Sequence, residues 1–330
     1  MTKPHRFDAD VVTFGEILWD VFEAEPAPRG EPIARVFRRE LGGAPANVAV
    51  DLARVGVRAA VVGGIGRDAF GVALERELAR EGVVTDGLVR LAARTGLAFV
   101  RRDAHGEPSF LFYRHETADM MVSARDVPSF RAAWALVGTS TLVHPGLADA
   151  TRAFLRHAKR GGASIVVDLN VRAHLWKNKS VMRARIADLV RDADLVKGSV
   201  PDVTVLGGIG FLRRHAPHAA WVLTAGAKAA RASVPVGRRR ATVDVAAEPG
   251  ARCVDATGAG DAFIAGTLAG LLALRARPDT PRFADLQVFA EALRVGHNLG
   301  AKAISAAGAT AGLVQLGGVR RTLARLRATP

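Results

Sequence analysis

Ser164-Ile165-Val166-Val167-Asp168 is an almost unbroken apolar run that ends in a carboxylate, and it decides the fold class. Strands that are covered on both faces have this composition, because both of their faces bury apolar side chains. Comparable runs recur along the chain and alternate with segments of helical periodicity. This alternation predicts an α/β protein with a Rossmann-like, three-layer α/β/α core around a mostly parallel sheet. Ligands in such folds bind beyond the carboxyl ends of the strands.

The predicted elements follow from that alternation. The predicted strands are Val11–Ile17, Ala59–Gly63, Leu136–Val143, Ser164–Asp168, Leu195–Lys197 and Trp221–Thr224. The predicted helices are Pro45–Val55, Ala69–Glu81, Asp149–Lys159, Val181–Arg191 and Phe283–Ile304. We treat the whole chain, residues 1–330, as a single domain.

Two further stretches, Asp20–Arg39 and Thr95–Arg114, alternate like strands without an intervening helix. One interpretation is a small β-sheet, built from about residues 18–40 and 95–116, that projects from the core as a lid. The other is an ordinary pair of edge strands. The residue pattern alone leaves both open.

The composition excludes several classes of protein. Apolar residues make up 49% of the chain and charged residues 24%, as in a folded globular protein. The most apolar run, Ala262–Leu274, is too short to span a bilayer and predicts a core helix. A single cysteine, Cys253, allows no internal disulfide, and we expect it to be a small core residue. We predict a cytoplasmic protein that does not engage membranes.

The net charge of +14 is compatible with a nucleic-acid partner or with a protein that handles nucleotide phosphates. The arginines are scattered, and the one cluster, Arg238-Arg239-Arg240, lies between two apolar runs. A hairpin tip is the simpler interpretation of that cluster. We therefore predict no nucleic-acid partner.

Asp255-Ala256-Thr257-Gly258-Ala259-Gly260-Asp261 precedes a long helix of small residues. Thr257 is the predicted N-cap, and the glycines let backbone N–H groups converge at the helix start. Free N–H groups and the helix dipole make such a start an anion site. Asp261 in this position suits a base that takes a proton from a hydroxyl while the N–H groups hold a phosphoryl group. Alone, the motif also fits an acidic residue that merely stabilises the helix dipole.

A second motif, Leu41-Gly42-Gly43-Ala44-Pro45-Ala46-Asn47, precedes a predicted helix that Gly56 ends. Gly42 and Gly43 allow close backbone approach to a ligand, and Asn47 offers donors and acceptors to hydroxyl groups.

Together the two motifs resemble the two signatures of the ribokinase-like (pfkB) carbohydrate kinase family. Two further stretches that fit this family are Gly15–Asp20 and Val62–Gly71. Phe110–Arg114 and Asp168–Arg172 are similar to its fructokinase branch. The motifs occur in family order over nearly the whole chain, which rarely happens by chance. The resemblance implies an ATP-dependent sugar kinase with a ribokinase-like fold, and it favours the projecting sheet.

The resemblance also implies roles for individual residues. Asp261 matches the catalytic base, and the anion hole corresponds to Gly258, Ala259 and Gly260. The matching sugar-binding positions are Asp20, Gly42, Gly43 and Asn47. The segments near the nucleotide contain Lys197, Ser199, Thr224, Gly226, Lys228 and Asn298. The family needs a divalent cation, normally Mg²⁺, and a monovalent cation such as K⁺ activates some of its members.

The chain departs from the family pattern at two positions that bear on these roles. Ala229 stands where the nucleotide turn usually has a glycine. Ser199-Val200-Pro201-Asp202 replaces the family's Asn-x-x-Glu motif, so Asp202 is the candidate metal ligand.

The favoured acceptor is a primary hydroxyl of a ketohexose, D-fructose first. The alternative is an acidic sugar such as 2-keto-3-deoxygluconate, whose carboxylate Arg114 and Arg172 would hold. Phe112, where a hydroxylated aromatic residue would suit the acidic sugar, favours fructose. A non-catalytic sugar- or nucleotide-binding regulator is the alternative from another class. The apolar face of the projecting sheet predicts a homodimer.

Overall fold

In the computed structural model, which describes residues 6–25, 27–102 and 108–329, strands and helices alternate along the chain. The strands are β1 (Arg6–Asp8), β2 (Val11–Phe14), β3 (Leu18–Glu23), β4 (Phe37–Gly42), β5 (Ala59–Gly66), β6 (Leu88–Leu91), β7 (Leu97–Arg102), β8 (Pro108–Tyr113), β9 (Ser129–Arg131), β10 (Trp134–Gly138), β11 (Ser164–Asp168), β12 (Leu195–Ser199), β13 (Ala220–Thr224), β14 (Ala229–Val236) and β15 (Arg239–Ala246).

The α-helices are α1 (Ala44–Arg54), α2 (Ala69–Arg80), α3 (Pro145–Arg160), α4 (Lys179–Val190), α5 (Val200–Leu206), α6 (Ile209–His215), α7 (Ala259–Ala273), α8 (Leu286–Ala303) and α9 (Gly317–Ala328). None of the helices in the described ranges is long and apolar enough to cross a membrane.

The main sheet has nine strands in the order β15-β14-β13-β12-β11-β10-β2-β5-β6. All pairs from β13 to β6 are parallel, whereas β14 pairs antiparallel with both of its neighbours, β13 and β15. Val166 of β11 packs in one hydrophobic core, whereas Ile165 and Val167 pack in the other. Burial on both faces therefore explains the unbroken apolar run, and the predicted α/β/α fold is confirmed.

Helices cover both faces of this sheet. The core on one face includes side chains of α1, α2, α7, α8 and α9, and the core on the other face includes those of α3 to α6. At the carboxyl edge of the sheet, Gly138, Asp168 and Lys197 lie side by side on three adjacent strands. This edge is where ligands bind in sheets of this type.

A separate sheet of four strands, in the order β4-β3-β7-β8, takes two strands from each of the two stretches that alternate like strands in the sequence. Residues 103–107 of the predicted lid segment lie outside the described residues. Leu18 of β3 pairs with Gly42 of β4, so this sheet leads directly into the start of α1. We call it the small sheet.

Several predicted boundaries were wrong, each for a local reason. The strand predicted at Leu136–Val143 ends at Gly138 and continues as a 3-10 helix, Thr139–Leu142. The helix predicted from Asp149 begins at Pro145, because proline suits the first helical turn. The helix predicted at Phe283–Ile304 is interrupted, since Asp285 accepts a hydrogen bond from the Gln287 N–H group and begins α8 there.

Candidate active site

The start of α7 has a backbone shape that only glycine tolerates. Gly258, rather than the predicted Thr257, is the N-cap, with φ of 77° in the left-handed region. A Cβ atom built on Gly258 would lie 2.2 Å from the carbonyl oxygen of Ala309. The Ala259 N–H group donates to the Ala256 carbonyl oxygen. In the described chain the next two N–H groups, of Gly260 and Asp261, have no backbone partner, so the helix start offers two donors to an anion.

Asp255 holds this loop in shape, and the sequence motif gave it no separate role. One of its carboxylate oxygens accepts hydrogen bonds from the Thr257 N–H group (2.9 Å) and hydroxyl group (2.7 Å). The other accepts from the Gly308 N–H group at 2.9 Å. Thr257 thus serves Asp255 instead of capping α7. The spacing of an aspartate two residues before a threonine was the available signal, since such side chains form local turns.

Asp261 lies in the first turn of α7 and is 8% exposed. Its Oδ2 atom accepts a hydrogen bond of 2.9 Å from Nδ2 of Asn47, which lies 214 residues earlier in α1. Burial raises the pKa of Asp261 to about 7, and Asp168 adds to the rise against the hydrogen bond from Asn47. A buried carboxyl group that titrates near neutral pH is suited to proton transfer.

Asp20, on β3, is a second buried carboxyl group, and it lies close enough to Asp261 for the charge of Asp261 to raise its pKa. Burial raises the pKa of Asp20 to about 7, with further contributions from Asp261 and Glu16. A Cβ atom on Gly42 would lie 2.5 Å from the carboxyl carbon of Asp20, so the side chain lies against the Gly42 backbone. Gly43, with φ of 100°, caps α1 and leaves no room for a side chain. Gly42 therefore lets the Asp20 carboxyl group approach the backbone before α1, and Gly43 lets the Glu16 backbone approach the start of α1.

The strand register places Phe112 on the face of the small sheet that also bears Asp20. Asp20 is directly opposite Ala98, and Ala98 is directly opposite Phe112. Side chains opposite each other on paired strands share one face. Phe112 is 39% exposed and thus presents part of its ring to that side.

The two arginines differ in their surroundings. Arg114 is mostly buried and forms an ion pair of 2.6 Å with the fully buried Asp119. Burial opposes the charge of Arg114, but Asp119 and Glu16 keep its pKa above the ordinary value. Arg172 is exposed, and its positive charge lowers the pKa values of Asp20 and Asp261. Arg114 therefore already has a carboxylate partner, which the sequence did not reveal.

Lys197 places a buried positive charge beside Gly260 at the start of α7. It is 5% exposed in the middle of β12, and its Nζ atom lies 3.1 Å from the carboxylate of Asp168. A Cβ atom on Gly260 would lie 3.0 Å from this Nζ atom, so the ammonium group borders the glycine loop. Burial alone would lower the pKa of Lys197, but Asp168 and Asp261 raise it above the ordinary value. Lys197 therefore stays protonated.

Ser199 and Asp202 form a capping box at the start of α5. One carboxylate oxygen of Asp202 accepts from the Ser199 N–H and hydroxyl groups, and the other accepts from the Val171 N–H group at 2.7 Å. Both oxygens are thus engaged in shaping the backbone. In the part of the chain that the structure describes, no group of three or more His, Cys, Asp or Glu side chains could hold a metal ion.

The remaining predicted nucleotide positions lie at the end of β13, in the turn after it, and on α8. Thr224 ends β13, and Gly226, with φ of 61°, and the exposed Lys228 form the turn to β14. Ala229 begins β14 opposite Ala246, so this position needs no glycine conformation. Asn298 is a partly exposed residue of α8, which packs along α7.

Two residues outside the predicted site can also be assessed. Cys253 is exposed, so the prediction of a core residue was wrong; it lies in the surface segment before the buried Asp255. His297 packs edge-on against Phe263, and its Nε2 atom lies 3.0 Å from the Val245 carbonyl oxygen. His297 is thus a packed structural residue.

A mostly parallel sheet between two helical layers, with a small second sheet beside its carboxyl edge, defines the ribokinase-like α/β class. The profile described as "pfkB family carbohydrate kinase" matches residues 8–316. The chain is 34% identical over 311 residues to fructokinase-1 of Oryza sativa subsp. japonica, covering 88% of this chain and 90% of that protein.

Solved structures agree with this match. A fructokinase with bound ATP from Xylella fastidiosa has a TM-score of 0.81 and 29% identity, covering 96% of this chain and 99% of that one. A fructokinase from Vibrio cholerae O395, in a form with fructose, ADP and calcium bound, has a TM-score of 0.78 and 27% identity, covering 96% and 98%. The chain belongs to the pfkB family of carbohydrate kinases, and it is a sugar kinase.

Proposed function

We propose that this protein transfers the γ-phosphoryl group of ATP to a primary hydroxyl group of D-fructose. Asp261 accepts the hydroxyl proton as the sugar oxygen attacks the γ-phosphorus atom. A new bond forms between phosphorus and the sugar oxygen, and the bond to the β,γ-bridging oxygen breaks, so that ADP leaves. The products are a fructose phosphate and ADP, with the proton initially on Asp261.

The observation that carries this proposal is the position of the Asp261 carboxyl group. It is buried at the mouth of a helix start that carries free N–H groups, and Asn47 holds it by a 2.9 Å hydrogen bond. Its pKa of about 7 lets it accept a proton at neutral pH and release it afterwards. A residue that only stabilised the helix dipole would not need either the burial or the partner.

The loop Gly258–Gly260 and Lys197 would bind the transferred phosphoryl group. The Gly260 and Asp261 N–H groups supply donors where charge develops in the transition state. The Lys197 ammonium group, beside Gly260, adds a full positive charge in a water-poor environment. Ser199 and Thr224 end two strands at the carboxyl edge of the main sheet, and Gly226 and Lys228 lie in the turn that follows. ATP would extend along these residues and Asn298 of α8.

The sugar would lie between the small sheet and α1. Asp20 would accept hydrogen bonds from sugar hydroxyl groups, while Gly42 and Gly43 allow the ring to approach the backbone. Phe112, on the same face as Asp20, would cover an apolar side of the ring. Movement of the small sheet as a lid would exclude water and limit hydrolysis of ATP.

The charges around this space favour a neutral sugar over an acidic one. Asp119 already neutralises Arg114 at 2.6 Å, so Arg114 has little free charge for a substrate carboxylate. Asp20 and Glu16 add negative charge, and Arg172 is exposed at the edge. These observations support fructose against 2-keto-3-deoxygluconate.

Mg²⁺ would be bound chiefly by the triphosphate. In proteins this ion keeps several waters and uses one or two carboxylates with substrate phosphates, which suits the lack of a larger acidic cluster in the described chain. When bound, it would neutralise phosphate charge and orient the γ-phosphoryl group. Direct coordination by Asp202 and activation by K⁺ stay predictions.

A kinetic screen with ATP and four acceptors tests the substrate. Fructose, 2-keto-3-deoxygluconate, ribose and adenosine would be compared by kcat/KM in a coupled ADP assay, with ADP release in the absence of acceptor as the control. We expect fructose to have the highest value. Turnover of the keto acid without turnover of fructose would overturn the substrate assignment.

We also propose a homodimer, formed through the outer face of the small sheet, and a cytoplasmic location. That face exposes apolar side chains, with Leu111 56% and Tyr113 59% exposed. Light scattering after size exclusion should give twice the chain mass for the wild type and the chain mass for Leu111→Glu. A monomeric wild type at micromolar concentration would contradict the dimer.

A further inference from the structure

Asp51 is a buried titratable residue that the proposed mechanism does not use. It lies in α1 and is 0% exposed. Neither of its carboxylate oxygens has a hydrogen-bond partner among the described residues. An ionised carboxylate in such surroundings is very unfavourable, so the group takes up a proton instead. Burial raises the pKa of Asp51 well above its ordinary value, and Asp261 adds to that rise.

The other charged groups near Asp51 do not supply a counterion. Arg54, on the same helix, donates hydrogen bonds of 2.6 and 2.8 Å to the two carboxylate oxygens of Glu81. It also donates to the Thr310 carbonyl oxygen. Arg54 lowers and Glu81 raises the pKa of Asp51, and both effects are smaller than that of burial. Asp51 is therefore a carboxylic acid with a proton to donate.

Asn47 lies one helical turn before Asp51, and its side-chain oxygen lacks a hydrogen-bond donor. Its Nδ2 group donates to Asp261, whereas its Oδ1 atom is buried without a partner among the described residues. Residues four apart on a helix are neighbours on one face. An unsatisfied acceptor thus lies next to an unsatisfied acid group.

We propose that Asp51, as a neutral acid, donates a hydrogen bond to Oδ1 of Asn47, directly or through one water molecule, and thereby orients the Asn47 amide so that its NH₂ group faces Asp261. Asp51 is a positioning residue that acts through Asn47. The inference rests on the proposed function to the extent that Asp261 is the base. It adds a second residue, on the buried side of α1, that helps to hold that base in position through Asn47.

The proposal has a direct chemical consequence. An amide group with no donor at position 51 can rotate by half a turn and present its oxygen to Asp261. Two oxygen atoms would then face each other, which disfavours the ionised base and moves it from its reactive position. The loss should appear in kcat and not in KM for ATP, because the proposed ATP site includes neither Asp51 nor Asn47.

Three variants separate this role from simple packing. Asp51→Asn keeps a donor, whereas Asp51→Leu and Asp51→Ala remove it with and without filling the space. Thr267→Val is the matched control, since Thr267 is a buried polar residue of α7 whose hydroxyl group bonds only within its own helix, to the Phe263 carbonyl oxygen. Kinetic constants would be measured with the sugar that the wild type turns over fastest.

We expect Asp51→Asn and Thr267→Val to keep kcat within about twofold of the wild type. Both apolar variants should lower kcat at least tenfold, with KM for ATP nearly unchanged, since small misplacements of reacting groups have effects of ~10²-fold. Equal rates in wild type and Asp51→Leu would overturn the inference alone. A wild type without any sugar turnover would overturn the proposed function first.

Chemical denaturation tests the proton independently of turnover. The unfolded chain releases the Asp51 proton above about pH 4, whereas the folded chain retains it, so the unfolding constant of the wild type relative to Asp51→Asn should rise with pH above about pH 5, by up to ~10-fold per pH unit. A ratio that does not change with pH would show an ionised Asp51 and would overturn the inference.

Discussion

Replacing Asp261 by asparagine should stabilise the protein, although it removes the proposed base. Burial raises the pKa of Asp261 from 3.8 to about 7 in the folded chain. As the pH rises from about 4 to 7, the unfolded chain releases this proton while the folded chain holds it, so stability falls across that window. Asparagine does not titrate, and its oxygen can still accept the hydrogen bond from Asn47.

The size of the effect follows from the shift. A pKa difference of about 3 units corresponds to ~4 kcal/mol of unfolding free energy above pH 7. For 330 residues with the usual unfolding entropy per residue, this corresponds to a rise in Tm of ~6 °C. The gain should be largest at pH 8 and roughly 40% as large at pH 5, because pH 5 lies only about one unit above the pKa of 3.8 in the unfolded chain.

Differential scanning calorimetry of the ligand-free protein at pH 5 and pH 8 measures this difference. Asp255→Asn is the matched control: Asp255 is a buried aspartate of the same loop, but its oxygens accept three hydrogen bonds, and an amide NH₂ group would oppose at least one of these donors. That variant should have a lower Tm than the wild type. If Asp261→Asn had a Tm equal to or lower than that of the wild type at pH 8, the argument that burial raises the pKa of Asp261 and thereby lowers stability would be refuted.

Three further predictions concern the same site. First, kcat/KM for the sugar should fall ~10- to 100-fold per pH unit below about pH 7, because Asp20 and Asp261 both have pKa values of about 7 and are both needed in the ionised form. This is measured by kinetics from pH 5 to 9, and a kcat/KM that stays constant down to pH 5.5 would contradict it. Second, Gly258→Ala should lower the unfolding free energy by ~1–3 kcal/mol and reduce kcat, because its φ is 77° and the added Cβ atom meets backbone; Gly146→Ala, where nothing lies within 4 Å, should be neutral or stabilising in the same urea titration. Third, Lys197→Met should lower the unfolding free energy by ~3–5 kcal/mol, since it leaves the buried Asp168 carboxylate unpaired, and it should raise KM for ATP. A variant with wild-type stability and wild-type KM would show that the ammonium group is not at the phosphate site.

The sequence predicted the core of the fold where local pattern and tertiary environment agree. The Ser164–Asp168 strand has the predicted bounds because both of its faces are buried, which its composition records directly. The strand predicted to Val143 was wrong after Gly138, where Thr139 turns its hydroxyl group to the Leu169 carbonyl oxygen. That partner lies 30 residues away and leaves no periodic signal.

The candidate site was predictable as a set of motifs but not as a set of contacts. Glycine-rich motifs mark places where backbone approaches closely, and Gly43 and Gly258 both have left-handed conformations with no room for a side chain. The hydrogen bond between Asn47 and Asp261, and the pairing of Arg114 with Asp119, depend on how separate elements pack. A single sequence does not encode such pairs as spacings, so the charge balance of the site emerged only from the structure.

The most direct test of the central claim is a single-turnover measurement of phosphoryl transfer from γ-³²P-labelled ATP to fructose, with excess enzyme and Mg²⁺, for the wild type and Asp261→Asn. We expect the wild type to form a fructose phosphate on a primary hydroxyl group, and we expect the variant to transfer ~10²- to 10⁴-fold more slowly while binding ATP with similar affinity. Transfer at an equal rate in the variant, or ATP consumption by the wild type without labelled fructose, would contradict the account.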